Sequence, residues 1–150
     1  MPSALIRALA TRHGLPTVDA NSIDAFLAPA PDRPEVTILF FTGDPAQRSE
    51  SDDVAVVLPQ ILRAFEGQLR AAVVSRTAED ALKSRFHVFV MPSLAITRGA
   101  IPLAVIPKIK DWSDYVRIVL AALAPGAPAL TSSGAGPKTE FNYSGRGASA

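Results

Sequence analysis

The chain has 150 residues, of which 48% are hydrophobic and 19% are charged, and its formal net charge is +1. This balance is typical of a globular domain and excludes disorder throughout the chain. The near-neutral charge offers no general attraction for nucleic acid or for an anionic membrane surface. Because the sequence has no cysteine, disulfides, thiolate metal sites and dithiol redox cycles are excluded.

No targeting or membrane-spanning segment is predicted. Arg7 and Arg12 interrupt the first apolar stretch, which a signal peptide would need intact. The longest uncharged stretch loses its apolar character at Ala124, before Pro125 and Gly126. We therefore expect a cytoplasmic protein that neither inserts into a membrane nor binds nucleic acid.

The first part of the chain predicts two short helices, a short edge strand and then a central strand. Apolar residues at helical spacing predict a helix over 2–13, and residues 16–18 predict the edge strand. Asn21 or Ser22 is a suitable N-cap for a helix through Leu27. Residues 35–42 are apolar on both faces, which is typical of a strand buried within a sheet.

The second part predicts a helix, a strand, a short helix, a hairpin and a last helix. A polar loop is expected up to Asp53, followed by a helix from Val54 that contains Pro59, although the valines here also allow a strand. Residues 69–75 predict a strand and 79–85 a short helix. The hairpin turns at 98–100, and Asp111 with Asp114 predicts a capping box for the last helix.

This order predicts an α/β fold with a mixed central sheet and helices on both faces, the three-layer sandwich of thioredoxin. The middle strand–helix–strand unit requires a parallel crossover, whereas the hairpin adds antiparallel strands. We predict one domain over 1–124 and a tail over 125–150 that is rich in Gly, Pro, Ala and Ser. Phe141 and Tyr143 are two residues apart in this tail, so both rings are able to point to one face of an extended segment and anchor it. We expect this contact to be with another chain, as a homo-oligomer, and the alternative is docking of the tail on the chain's own sheet.

Two prolines make the likeness to thioredoxins specific. The segment from Met91 to Leu94 resembles the one in which a cis-proline opens the fourth thioredoxin strand. Pro59 matches the proline of the thioredoxin active-site helix, which puts Ser51 and Val54 where the two redox cysteines would stand. The resemblance therefore predicts a cis Met91–Pro92 bond and no dithiol reductase activity.

Four segments together resemble the HyaE/HupG family of hydrogenase expression proteins, which are thioredoxin-like and lack a CxxC motif. The segments are FFTGDP at 40–45, DVAVVLP at 53–59, RFHVFVMPSL at 85–94 and KDWSDY at 110–115. The resemblance implies a non-catalytic chaperone for a nickel–iron hydrogenase. Its partner would be the small-subunit precursor with its twin-arginine signal peptide, bound before export.

Acidic residues that precede the Pro59 helix are the candidate partner-binding site, together with the backbone at Met91 and Pro92. Carboxylates accept guanidinium groups bidentately, and the backbone beside a cis-proline is able to pair with an extended peptide. The alternative is that these carboxylates only cap the helix. We expect loop 43–53 to be exposed and next to Pro92. The four acidic residues are Asp44, Glu50, Asp52 and Asp53.

Two other classes of function remain open in the sequence. One is a structural adaptor or oligomerisation module, and the other is an enzyme that binds glutathione without using a thiol. Ser51, His87 and Asp53 do not form a convincing catalytic set, and no cofactor or metal site is predicted. We expect Trp112 in the core and Arg70 on the surface.

Overall fold

The structure, a computed structural model, describes residues 3–44, 46–47 and 50–130. The helices are α1 (Ala4–Thr11), α2 (Ile23–Leu27), α3 (Glu50–Ala64), α4 (Glu79–Leu82) and α5 (Trp112–Leu123), with a single 3₁₀ turn at Arg76–Ala78 before α4. The strands are β1 (Thr17–Val18), β2 (Val36–Phe41), β3 (Leu69–Val74), β4 (Ser93–Arg98) and β5 (Ile101–Pro107).

The strands form one mixed sheet in the order β1-β3-β2-β4-β5. β3 is parallel to both β1 and β2, whereas β4 is antiparallel to both β2 and β5. Every residue of β2 is buried, because β2 has a strand on each side and helices over each face. The predicted mixed α/β sheet is therefore confirmed.

Two apolar layers cover the two faces of the sheet. Ile38 and Phe40 of β2 point into the layer formed with α1, α3 and α5. Leu39 and Phe41, the alternate residues, point into the layer formed with α2 and α4. Because alternate side chains of β2 point to opposite faces, this one strand contributes to both apolar layers, and the result is the predicted three-layer sandwich.

Helix α3 begins earlier than the sequence predicted. It starts at Glu50, so residues 50–53 are helical instead of forming the end of a loop. Carboxylates are favoured in a first helical turn because the exposed N–H groups give that end a partial positive charge. Val54, Leu58 and Ile61 are buried along one side, so the helix interpretation was right and the strand alternative was wrong.

Helix α5 differs from its prediction in two details. Asp111 occupies the N-cap position, but its side chain makes no capping hydrogen bond, and Asp114 instead pairs with Arg117. Trp112 is 44% exposed, so its assignment to the core was wrong. Tyr115 and Val119 supply the buried side of the helix.

The chain continues along the sheet edge after α5. Ala127 packs against the core, and the Leu130 N–H donates to the Pro102 carbonyl of β5 over 2.8 Å. The domain boundary at residue 124 stays a prediction. These contacts indicate that residues after 124 also pack on the domain. The expected anchors Phe141 and Tyr143 lie outside the described residues.

Candidate functional site

The candidate site lies where β2 ends and β4 begins. Met91–Pro92 is a cis peptide bond, as predicted. Ser93, the next residue, pairs with Phe41 at the end of β2. The Pro92 carbonyl accepts a hydrogen bond from the Lys108 N–H over 2.7 Å, which ties the start of β4 to the chain after β5. Pro92 is therefore held between the ends of β2 and β5.

Two polar side chains hold the start of the loop that follows β2. The hydroxyl of Ser51 is buried and donates to the Thr42 carbonyl. The carboxylate of Glu79 is buried and accepts hydrogen bonds from the Gly43 N–H at 3.0 Å and from the Thr42 hydroxyl at 3.3 Å. Gly43 has a φ of 68°, a conformation that glycine adopts without steric cost. These contacts fix the loop next to Pro92.

The sequence did not single out Glu79. It reads as an ordinary charged residue at the start of a short helix, and Arg76 three residues earlier suggests only a surface ion pair. Its role depends on a contact with residues 42 and 43 that is long-range in sequence. A buried carboxylate that the sequence analysis passed over is therefore a fixed part of the site.

Three of the four predicted carboxylates already have partners within the described residues. Glu50 accepts a hydrogen bond from the Ile109 N–H at 3.0 Å, and Asp52 accepts one from the Ser3 hydroxyl. Asp44 accepts from the Ala46 N–H at 3.0 Å within its own turn. These contacts support the structural interpretation of Glu50 and Asp52, which join α3 to the β5–α5 connection and to α1.

Asp53 differs from its neighbours because it is exposed and has no hydrogen-bond partner among the described residues. Its negative charge also contributes to the raised pKa of the Tyr115 hydroxyl. Burial raises the pKa of the Tyr115 hydroxyl, the charges of Glu50 and Asp53 raise it further, and a hydrogen bond from the Lys110 N–H lowers it. Glu50 faces the chain after β5 through its bond with Ile109, and Asp53, three residues later, lies on the same side of α3. The same chain after β5 contacts Pro92 through Lys108.

The surroundings of Pro92 also contain positive charge. Lys108 and Lys110 are exposed in the connection between β5 and α5. Lys108 has a φ of 59°, in the left-handed region that a lysine rarely adopts. The acidic residues therefore form one side of a mixed surface, which is less acidic than the local sequence suggests.

Exposed apolar side chains are the second feature that the sequence analysis missed. Phe89 is 81% exposed and Val90 is 43% exposed, immediately before Met91 and Pro92. Apart from His87, the run from Phe86 to Met91 is apolar, so its composition does not separate the buried positions from the exposed ones. His87 in the same run has a φ of 62° and is half-buried.

Two other kinds of chemistry at this end of the sheet would need an accessible nucleophile or a metal site. Ser51 is buried with its hydroxyl engaged, so it is not presented as a nucleophile. Within the described ranges, no cluster of His, Asp or Glu side chains is suited to hold a metal ion. In the same part of the chain, no helix combines the length and apolar character that crossing a bilayer requires.

Fold and site together define a thioredoxin-like protein in which the cis-proline end of the sheet is kept without any thiol. The model of the family "Hydrogenase-1 expression protein HyaE" matches residues 5–115. The hydrogenase expression/formation protein HupG of Rhizobium leguminosarum bv. viciae is 58% identical over 146 residues, covering 97% of each chain. The protein HoxO of Cupriavidus necator is 40% identical over 122 residues, covering 80% of this chain and 73% of the relative.

A solved structure agrees with these sequence matches. The crystal structure of a hydrogenase expression/formation protein, hupG, from Rhodopseudomonas palustris CGA009 has a TM-score of 0.51 and 42% identity. The match covers 72% of this chain and 94% of the crystallised one. This chain belongs to the HyaE/HupG family of hydrogenase expression proteins, as its four motifs indicated, and its role lies in hydrogenase maturation.

Proposed function

We propose that this protein is a non-catalytic chaperone that binds the small-subunit precursor of a nickel–iron hydrogenase, including its twin-arginine signal peptide, in the cytoplasm before export. Membership of a hydrogenase expression family supports the maturation role. The absence of cysteine and the buried, engaged hydroxyl of Ser51 support a role in binding. The observation that carries the peptide-binding part is the exposed carboxylate of Asp53, which no described residue satisfies.

The proposed binding mode places an extended basic peptide beside Met91 and Pro92. Backbone groups of Met91 would pair with the peptide as with an added strand. Asp53, assisted by Asp44, would accept the guanidinium groups of the two arginines. Glu50 and Asp52 keep their charges while they stabilise the fold, so they contribute to attraction at a distance.

The test is the affinity of a synthetic twin-arginine peptide, measured by calorimetry and compared with a peptide in which both arginines are replaced by glutamine. Asp53→Asn should weaken binding of the arginine peptide about two- to fivefold, the effect expected for losing one exposed charge pair. Binding of the glutamine peptide should be weaker and should not respond to this substitution.

Asp52→Asn is the matched control, because it removes the same charge from the adjacent residue of α3. If only the general field matters, both substitutions will weaken binding equally. The proposal expects a clearly larger effect at Asp53, since Asp52 is engaged by Ser3. Equal affinity of the wild-type protein for the arginine and glutamine peptides would refute the proposal.

A further inference from the structure

The loop before Pro92 presents an aromatic ring to water. Among the described phenylalanines, Phe40, Phe41, Phe65 and Phe86 are buried and Phe26 is half-buried, whereas Phe89 is 81% exposed. Val90 beside it is also exposed, and Met91 follows. Single exposed apolar residues are common on protein surfaces, but a consecutive group at a candidate binding site suggests an interaction surface.

The exposure of Phe89 is imposed by well-anchored neighbours. Phe86 and Val88 are fully buried in the layer that contains α2 and α4. The Val88 N–H donates to the Lys83 carbonyl over 2.8 Å, and the Ser93 hydroxyl donates to the Val90 carbonyl over 2.7 Å. With both ends of the loop fixed, the Phe89 side chain is held outside the core.

The same loop has unused backbone donors. Among the described residues, none accepts a hydrogen bond from the N–H groups of Phe89, Val90 or Met91. Backbone N–H groups that the fold leaves without an acceptor are able to pair with the carbonyl groups of a bound peptide. An apolar surface, free donors and the cis bond at Pro92 therefore occupy one continuous stretch of chain.

We propose that Phe89 and Val90 form an apolar anchor for a partner peptide, and that the occupant is an uncharged apolar stretch next to its basic residues. This inference rests on the proposed function, because the basic residues are those facing Asp53. The first turn of α3 and the loop before β4 lie at the same end of the sheet: Ser51 donates to the Thr42 carbonyl just after β2, and Phe41 at the end of β2 pairs with Ser93. A peptide with adjoining basic and apolar parts is complementary to both features.

A second copy of this chain is a poorer occupant. Symmetric docking through this loop would place the same surface patch on both subunits. Both copies would then bring carboxylates (Asp44, Asp53) and ammonium groups (Lys108, Lys110) to the interface, so a second copy offers no net charge complementarity. A basic, apolar peptide pairs its charges with the carboxylates and its apolar part with Phe89.

The experiment compares two variants against two peptides. Phe89→Ser removes the ring, and Leu120→Ser is the control because Leu120 is 57% exposed on α5 outside this loop. One peptide contains both the basic residues and the apolar stretch, and in the other serines replace the apolar residues. Phe89→Ser should weaken binding of the first peptide about tenfold, as expected for loss of a partly buried aromatic contact. It should not change binding of the serine peptide, and Leu120→Ser should change neither.

The outcomes separate this inference from the proposed function. If Phe89→Ser leaves the affinity unchanged while Asp53→Asn reduces it, the apolar anchor is refuted and the proposed function stands. If wild-type protein binds neither peptide, the proposed function itself fails. If the wild-type protein is a dimer in sedimentation experiments and Phe89→Ser converts it to a monomer, the occupant is a second copy and the inference is overturned. Circular dichroism of both variants establishes that they are folded.

Discussion

Removing the carboxylate of Glu79 should destabilise the domain and loosen the loop beside Pro92. Glu79→Ala deletes the acceptor of the Gly43 N–H, which is held at 3.0 Å in a buried position. The Thr42 hydroxyl also loses a partner, but it still donates to the Gly43 carbonyl at 2.9 Å. One backbone donor is therefore left without a partner, and the side-chain volume of Glu79 is lost from a buried position.

These losses set the expected size of the effect. An unsatisfied buried N–H costs about 1–3 kcal/mol, and a hydrogen bond to a charged group contributes about 1.5–3 kcal/mol. The ion pair with Arg76 adds little, because the Arg76 side chain is 51% exposed. We expect Glu79→Ala to lower the free energy of unfolding by about 2–4 kcal/mol. Glu79→Gln should cost less, since its amide oxygen remains able to accept from Gly43.

Urea denaturation followed by far-ultraviolet circular dichroism measures these free energies. Asp80→Ala is the matched control, because Asp80 is the next residue and its side chain is 93% exposed in a pair with Lys83. The control should change stability by less than about 0.5 kcal/mol. If Glu79→Ala costs no more than Asp80→Ala, the assigned contact between Glu79 and the loop is wrong.

Three further outcomes follow from the contacts of the described residues. Burial raises the pKa of the Tyr115 hydroxyl above that of an unfolded tyrosine, which is about 10. The free energy of unfolding should therefore fall as the pH rises above about 10 and through the higher folded pKa. Tyr115→Phe should remove this part of the pH dependence in urea titrations. Arg98→Ala should lower the free energy of unfolding by about 1–2 kcal/mol in thermal unfolding, because Arg98 donates hydrogen bonds to the last carbonyls of α5. Arg117→Ala, on the exposed side of α5, is the control and should lower it by less than about 0.5 kcal/mol. Lys108→Asn should raise the affinity for a basic peptide about twofold at low salt and less at high salt, since asparagine tolerates the left-handed backbone and the substitution removes a cation beside Pro92.

Much of the fold was predictable because its signals are local. The run from Val36 to Phe41 is apolar at every position except Thr37, and that pattern favours a strand covered on both faces. The three- and four-residue spacing of Val54, Leu58 and Ile61 favoured a helix with one buried side, although the neighbouring valines also allowed a strand. Pro92 at a strand start supplied the thioredoxin-like placement, and the cis bond is present.

The site was less predictable because its contacts are long-range. Four acidic residues near one another in sequence suggested a single charged surface, whereas the fold turns Asp52 toward Ser3 and Glu50 toward Ile109. Arg70 was expected at the surface, but its guanidinium stacks on the Phe26 ring at 4.0 Å, and burial lowers its pKa. The charged residues can be identified from the sequence, whereas their hydrogen-bond and ion-pair partners depend on how the helices and strands pack.

We propose that the domain extends beyond residue 124, at least to Leu130. Ala127 packs on the core, and Leu130 donates to Pro102 on the outer strand β5. A chain ending at residue 124 should be less stable than one ending at residue 130 by about 1 kcal/mol, the net contribution of one hydrogen bond and a small apolar contact after the entropy of ordering. It should also aggregate faster, because more of the β5 edge is then unpaired. Leu130→Pro in the longer chain removes the N–H donor, together with the leucine side chain, and should reproduce much of the loss. Equal urea midpoints for the two chains would show that residues 125–130 do not stabilise the domain, and the boundary would then be placed at residue 124.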